Sequence, residues 1–147
     1  MADILILHGP NLNMLGKREP QIYGSATLDE INEKLSAVAV DNQVTLDIFQ
    51  SNSEGDLVDK IQQASNDNIK YIVVNAAALT HCSISLRDAF KLAGIPFIEV
   101  HLSNVFTREE FRHKSFLADI AIGVISGFGP NSYVFALQHI ISLISKK

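Results

Sequence analysis

A chain of 147 residues with 47% apolar and 19% charged side chains is long enough for one compact domain, residues 1–147, and too short for two. Its formal net charge of -4 (12 basic against 16 acidic side chains) excludes disorder driven by self-repulsion and lacks the basic excess that nucleic-acid binding needs. A lone cysteine, Cys82, excludes an internal disulfide and fits a reducing, cytoplasmic setting; the aliphatic run Ile4 to Leu7 is too short for a membrane span and has no basic flank like that of a signal peptide.

In chain order, Ile4 to Leu7 predicts the first strand. Gly9 to Ser25 follows, rich in Gly, Pro, Asn and charge and without periodicity; a loop of that length inside a small domain is expected to be functional, here as a lid. Thr27 and Glu30 form a capping box opening a helix that carries Leu28, Ile31, Leu35 and Val38 at helical spacing. Val44 to Phe49 predicts the second strand, and Ser53 caps a second helix with Leu57, Ile61 and Ala64 facing inward. After a third strand at Tyr71 to Val74, Ser83 opens a helix that stops at Gly94, ahead of Ile95-Pro96. Phe97 to Val100 predicts the fourth strand. Thr107 and Glu110 make a second capping box, which predicts a helix bearing Phe111, Phe116 and Leu117. The fifth strand is expected at Ile120 to Ile125, and Pro130-Asn131-Ser132 leads into a last helix striped with Val134, Leu137, Ile141 and Ile144.

The first, third and fifth runs are almost continuously apolar, as in strands of a parallel sheet covered on both faces. Alternation of strand and helix therefore predicts an α/β fold, a flavodoxin-like three-layer sandwich with a five-stranded parallel sheet in the order 2-1-3-4-5.

Ligands of such sheets bind outside the carboxyl ends of the strands. Those ends are polar here: His8 to Asn13 after the first strand, Asn75 and then Thr80-His81 after the third, Glu99, His101, Ser103 and Asn104 at the fourth, and Ser126 to Gly129 after the fifth. Turn chemistry explains Asn52 and Asn104, but not three histidines arriving at one edge. Phosphate motifs fail, since Gly9 to Lys17 is too long for a Walker loop and Ser132 stands where the third glycine of a dinucleotide turn belongs. A metal site drawn from His8, His81, His101 and Glu99 is the lesser reading, because histidines without ligand spacing at a cleft more often do acid–base work.

Glu99 and His101, two apart on one strand, share a face, so the carboxylate can fix the imidazole tautomer; a plain ion pair at the sheet edge is the competing reading. Arg18 and Tyr23 sit together in the long loop, beside Lys17. An ordinary phenol is ionised to about one part in a thousand at neutral pH, so a neighbouring guanidinium is what would make one a usable base. An exposed tyrosine beside a solvated arginine is the alternative.

Several long motifs in order carry a resemblance: Gly9-Pro10-Asn11-Leu12-Asn13, Gly16 to Gly24, Gln50-Ser51-Asn52, Glu99 to Asn104 and Arg108-Glu109-Glu110-Phe111-Arg112. From about Ile4 to Ile140 the chain resembles the type II 3-dehydroquinate dehydratases. It departs from their pattern at Ala76, Ala77 and Leu79, where the family often has proline, glycine and tyrosine, and at Phe106-Thr107, where His-Ala is frequent.

The resemblance implies reversible dehydration of 3-dehydroquinate to 3-dehydroshikimate without metal or organic cofactor, in a homododecamer of four trimers. It implies that Tyr23 removes a proton beside the ketone, Arg18 holds the phenolate, Asn13 positions a water against the enolate, and His101, oriented by Glu99, protonates the leaving hydroxyl. Asn75, His81, Leu102, Ser103 and Arg112 are then expected to bind substrate, with Asp88 reaching in from a neighbouring subunit. The rival lysine Schiff-base route finds little support: Lys34, Lys60, Lys91, Lys146 and Lys147 read as helix-surface residues, Lys70 opens a strand at the wrong edge, and Lys17 reads as an electrostatic helper. A flavin carrier would need a hydroxyl-rich loop after the first strand, and a phosphoacceptor module a pair of aspartates there. Neither is present. Whether the reaction serves aromatic biosynthesis or quinate breakdown is open at this stage.

Overall fold

Five parallel strands, β1 (Ile4–His8), β2 (Leu46–Gln50), β3 (Tyr71–Asn75), β4 (Phe97–His101) and β5 (Gly123–Ser126), form one sheet in the order β2-β1-β3-β4-β5. The computed structural model describes residues 1–17 and 19–145; Arg18, Lys146 and Lys147 lie outside the described residues. The helices are α1 (Pro20–Tyr23), α2 (Leu28–Asp41), α3 (Glu54–Asn66), α4 (Ile84–Ala93) and α5 (Asn131–Ser145).

Side chains alternate across each strand, so the sheet sorts the core in two. Ile4, Ile6, Val73, Ile98 and Val100 pack against Ile31 and Leu35 of α2 and Leu137 and Ile140 of α5. Leu5, Leu7, Ile72, Val74 and Phe97 pack against Leu57 and Ile61 of α3 and Leu86 and Phe90 of α4. This is the three-layer flavodoxin-like sandwich that the alternation of elements predicts.

Three predicted caps form. Thr27 Oγ1 accepts from the Glu30 amide at 3.2 Å, Ser53 Oγ from Asp56 at 3.2 Å and Ser83 Oγ from Leu86 at 3.0 Å, each satisfying an amide that the first helical turn leaves unpaired. The predicted helix after Thr107 does not form. Thr107 donates its hydroxyl to the Asn104 carbonyl at 2.8 Å instead of capping Glu110, and Arg108 is extended (φ -107°, ψ -166°), so two single 3-10 turns, Val105–Thr107 and Glu110–Arg112, replace it. The fifth strand also starts later than expected. Ala118–Ile120 closes a 3-10 turn, and pairing toward β4 begins only where the Ile122 amide donates to the Phe97 carbonyl at 2.8 Å. At β2, the Val44 amide is taken by Ala39 at the end of α2, which delays the strand to Leu46.

The crossing from β1 into the long loop is the tightest point of the sheet edge. The Gly9 amide donates to the Asn75 carbonyl at 2.7 Å, and a Cβ on Gly9 would lie 2.5 Å from the Ala76 carbonyl oxygen, which is backbone and cannot swing aside. Gly94 is different: its constraint is a φ of +67° in open space at the end of α4. Gly9→Ala is expected to lower stability in urea unfolding by about 2 kcal/mol or more, and Gly94→Ala by about 1 kcal/mol; equal losses would mean that the close approach at Gly9 is not a constraint.

Candidate active site

At the end of β4, Glu99 and His101 are buried, with 2% and 6% of their surface exposed. Glu99 Oε2 lies 2.6 Å from His101 Nε2, and its Oε1 accepts the Ser115 hydroxyl at 2.7 Å. Ser115 Oγ in turn accepts from the amides of Leu117 and Ala118, both at 3.0 Å. A carboxylate accepting from Nε2 leaves Nδ1 of His101 as the nitrogen available to a ligand. The imidazole is thus braced, not merely paired at an edge.

His81 ends the 3-10 turn Ala77–His81 and lies beside His101, ring centroids 6.2 Å apart and tilted by 18°. Its Nδ1 donates to the Lys114 carbonyl at 2.8 Å, so Nε2 carries the lone pair. Partial burial, opposed by that carbonyl, holds His81 below the usual histidine range.

His8 belongs to the other face of the sheet, with Ile4 and Ile6, whereas Glu99 and His101 share the face of Phe97. The four-residue metal set weighed from the sequence is therefore not brought together. His8 Nδ1 lies 2.9 Å from Tyr133 Oη and its Nε2 lies 2.8 Å from Asn32 Oδ1, while Asn75 Nδ2 donates to Tyr133 Oη at 3.0 Å. Burial pushes the His8 pKa down to about 4 and raises that of the fully enclosed Tyr133 phenol.

Between these two clusters opens a cleft. Of the residues expected from the sequence, Tyr23, Asn75, His81, His101, Leu102, Ser103 and Arg112 line it together, and Glu99 stands behind His101. Asn13 is exposed in the 3-10 turn Leu12–Met14 and is not part of the wall; Asn11, two residues earlier, is. Asn11 is held in the left-handed region (φ 70°) with its amide donating to Asn52 Oδ1 at 2.9 Å. Gln50 Nε2 donates to Asn52 Oδ1 at 3.1 Å and to the Gly9 carbonyl at 3.2 Å, so Asn52 clamps the turn after β1 from 41 residues away and is more than a local turn residue. Asp88 is exposed on α4, away from this chain's own cleft. Arg18 lies outside the described residues.

Arg108, which in the sequence is only the first residue of the Arg108 to Arg112 motif, is a residue of the site. Its guanidinium stands 5.0 Å from the Tyr23 ring centroid and donates to Ser103 Oγ at 3.3 Å. Its advance signals are that motif and the spacing to Arg112, which two successive 3-10 turns bring to the same wall. With Arg108 and Arg112 and no Asp or Glu among its described lining residues, the cleft is cationic in a chain of net charge -4.

The profile of the dehydroquinase class II family matches residues 2–141. This chain belongs to that family. It is 56% identical over 145 residues to the 3-dehydroquinate dehydratase of Francisella philomiragia subsp. philomiragia, covering 99% of this chain and 98% of that one. It is 59% identical over 143 residues to the 3-dehydroquinate dehydratase of Acinetobacter baumannii (strain AYE), covering 97% and 95%. Among solved structures, the type II dehydroquinase of Butyrivibrio crossotus superimposes with a TM-score of 0.93 at 39% identity, covering 96% of this chain and 97% of that one.

Behind the cleft of this class II dehydroquinase, burial keeps His8 neutral. The folded pKa of His8 is depressed, so below about pH 6.5 the unfolded chain binds the proton first. This stabilising contribution is complete above the unfolded pKa and lost as pH falls toward 4, a loss of roughly 3 kcal/mol. Urea unfolding between pH 7 and pH 4 should show this decline, and His8→Asn should remove that part of it. An unchanged pH slope in the variant would mean that His8 is not the group responsible.

Proposed function

We propose that the cleft carries out the reversible dehydration of 3-dehydroquinate to 3-dehydroshikimate, with Tyr23 as base and His101 as acid. The observation that carries this reading is one cleft combining a phenol under a guanidinium, an imidazole braced by a buried carboxylate, and two arginines with no described carboxylate on the wall. The substrate is a carboxylate anion bearing a ketone. Arg112 is suited to its carboxylate, and Asn75, His81, Leu102 and Ser103 to its hydroxyls and ring, the bare Nε2 of His81 accepting from a hydroxyl.

The phenolate oxygen of Tyr23 takes the proton from the carbon beside the ketone, and the electron pair moves onto the ketone oxygen as an enolate. Donors at that oxygen lower the barrier most where they are held in place beforehand. We assign the positioning of the enolate-stabilising water to Asn11 in place of Asn13, because Asn11 stands on the wall and its backbone is clamped by Asn52. The enolate then re-forms the ketone as the carbon–oxygen bond breaks, and the proton on His101 Nδ1 leaves with the hydroxyl as water. Glu99 balances the charge of the imidazolium before that step. Transfer of the proton on Tyr23 back to His101 through solvent restores the starting state. Arg108 puts positive charge beside the phenolate, the same part that is expected of Arg18. The family and the relatives favour a place in aromatic biosynthesis over quinate breakdown.

Tyr23→Phe should lower turnover by at least ~100-fold with little change in binding, as loss of a general base does. His101→Ala should also abolish turnover, yet in deuterated water it should still exchange deuterium beside the ketone, because proton removal precedes loss of water. The Phe variant should show no exchange above background. Equal exchange in both would mean that Tyr23 is not the base.

The assembly we propose is a homododecamer of four trimers in the cytoplasm, with Asp88 completing a neighbour's cleft. Asp88 is exposed on α4, where Ile84 and Leu92 are also uncovered (59% and 83% exposed), and Cys82 is a free, exposed thiol. Mixing inactive Asp88→Ala and Tyr23→Phe subunits should restore part of the activity through composite sites. A fully active monomer at 16.2 kDa in sedimentation would overturn the shared site.

A further inference from the structure

We propose that His8 and Tyr133 are positioning residues that lock the Asn75 amide in the one orientation that offers an N–H, not a carbonyl oxygen, to the cleft. This rests on the dehydratase reading for its kinetic test, but its geometry is independent of it.

The direction of every hydrogen bond from Asn75 to Asn32 follows from one backbone amide. The Ala77 N–H can only donate, and it donates to an atom of the Asn75 side chain 3.1 Å away, which must therefore be Oδ1. Nδ2 then faces Tyr133 Oη at 3.0 Å, and one of its two hydrogens is used there. Tyr133 Oη, already accepting, turns its own hydrogen to the remaining neighbour, His8 Nδ1, at 2.9 Å. His8 Nδ1 must carry the lone pair, so Nε2 carries the hydrogen and donates to Asn32 Oδ1 at 2.8 Å. Reversing any member leaves two donors or two acceptors facing each other in a buried site, which costs more than the bond is worth. The second hydrogen on Asn75 Nδ2 is the group left for the cleft that Asn75 lines. The ligand atom it meets is accordingly an acceptor: a carboxylate, carbonyl or hydroxyl oxygen.

The sequence assigned no part to Tyr133, which opens α5, or to His8 beyond its place at the sheet edge. Both are fully buried, and neither touches the cleft. They act through Asn75.

Tyr133→Phe removes the acceptor that holds Nδ2 while keeping the ring, and should raise KM for 3-dehydroquinate by about tenfold, the effect of one lost hydrogen bond, with kcat within about threefold. Asn75→Ala should raise KM similarly, and the Tyr133→Phe/Asn75→Ala double variant should be no worse than Asn75→Ala alone. His8→Asn puts an amide oxygen where Nδ1 was and should keep KM near wild type, whereas His8→Leu should match Tyr133→Phe. Nitrogen-15 NMR of the unsubstituted chain should find His8 protonated at Nε2 and bare at Nδ1, a measurement that needs neither a variant nor activity. Multiplicative effects in the double variant, or a His8 protonated at Nδ1, would overturn the proposal. A wild-type chain inactive on 3-dehydroquinate, with the predicted tautomer present, would sink the dehydratase reading and leave the relay standing.

Discussion

A carboxylate buried to 2% exposure at the end of a strand must be answered by donors, and Glu99 is answered from two directions. The imidazole of His101 supplies one and the hydroxyl of Ser115 the other. That requirement shapes the connection from β4 to β5. The chain leaves the strand, turns twice as 3-10 helix, and returns Ser115 under the sheet edge before β5 begins. A regular helix over the same residues would continue along the face of the sheet instead of doubling back. The same return brings the Lys114 carbonyl to His81, so both cleft histidines owe their orientation to one short segment.

The sheet keeps two polar systems apart at its catalytic edge. One face holds the hydrogen-bonded Glu99–His101 pair, the other a neutral relay from Asn32 to Asn75. Each would disturb the other if they shared a face: a carboxylate near His8 would favour its charged form and reverse the donors that orient Asn75. Alternation along the strands provides the separation without any further device, since His8 and Asn75 are register neighbours on β1 and β3, and Glu99 and His101 sit one face over on β4.

Much of this was legible in the sequence. Hydrophobic runs and Ser or Thr caps located the sheet order and four helices because those signals are local and strong. The Glu99–His101 pair was legible because strand alternation alone fixes which side chains meet. The capping box at Thr107 misled: a hydroxyl can bond backward to Asn104 as readily as forward to Glu110, and nothing in the pattern chooses between them. Arg108 and Asn11 stand in motifs of the sequence without a role of their own, because those roles depend on turns whose geometry arises from distant partners, Asn52 among them. Tyr133 lies in the first turn of the last amphipathic helix, where periodicity alone marks it as core, and its phenol is the polar end of an otherwise apolar stripe.

Ala77 shows how the departures at residues 76–79 are accommodated. It adopts φ +53°, a region in which an alanine is strained by about 1 kcal/mol or more relative to glycine. An alanine also restricts the unfolded chain, which offsets much of that strain, by roughly 0.4–1 kcal/mol. The strain is the larger of the two, as for alanine at Gly94, so the turn that carries the Asn75 acceptor bond holds alanine at a net cost in stability and can drift between glycine and alanine only at that cost. What cannot drift is the amide hydrogen at this position. A proline at 77 would remove the single group from which the whole relay takes its direction, whatever its effect on the fold.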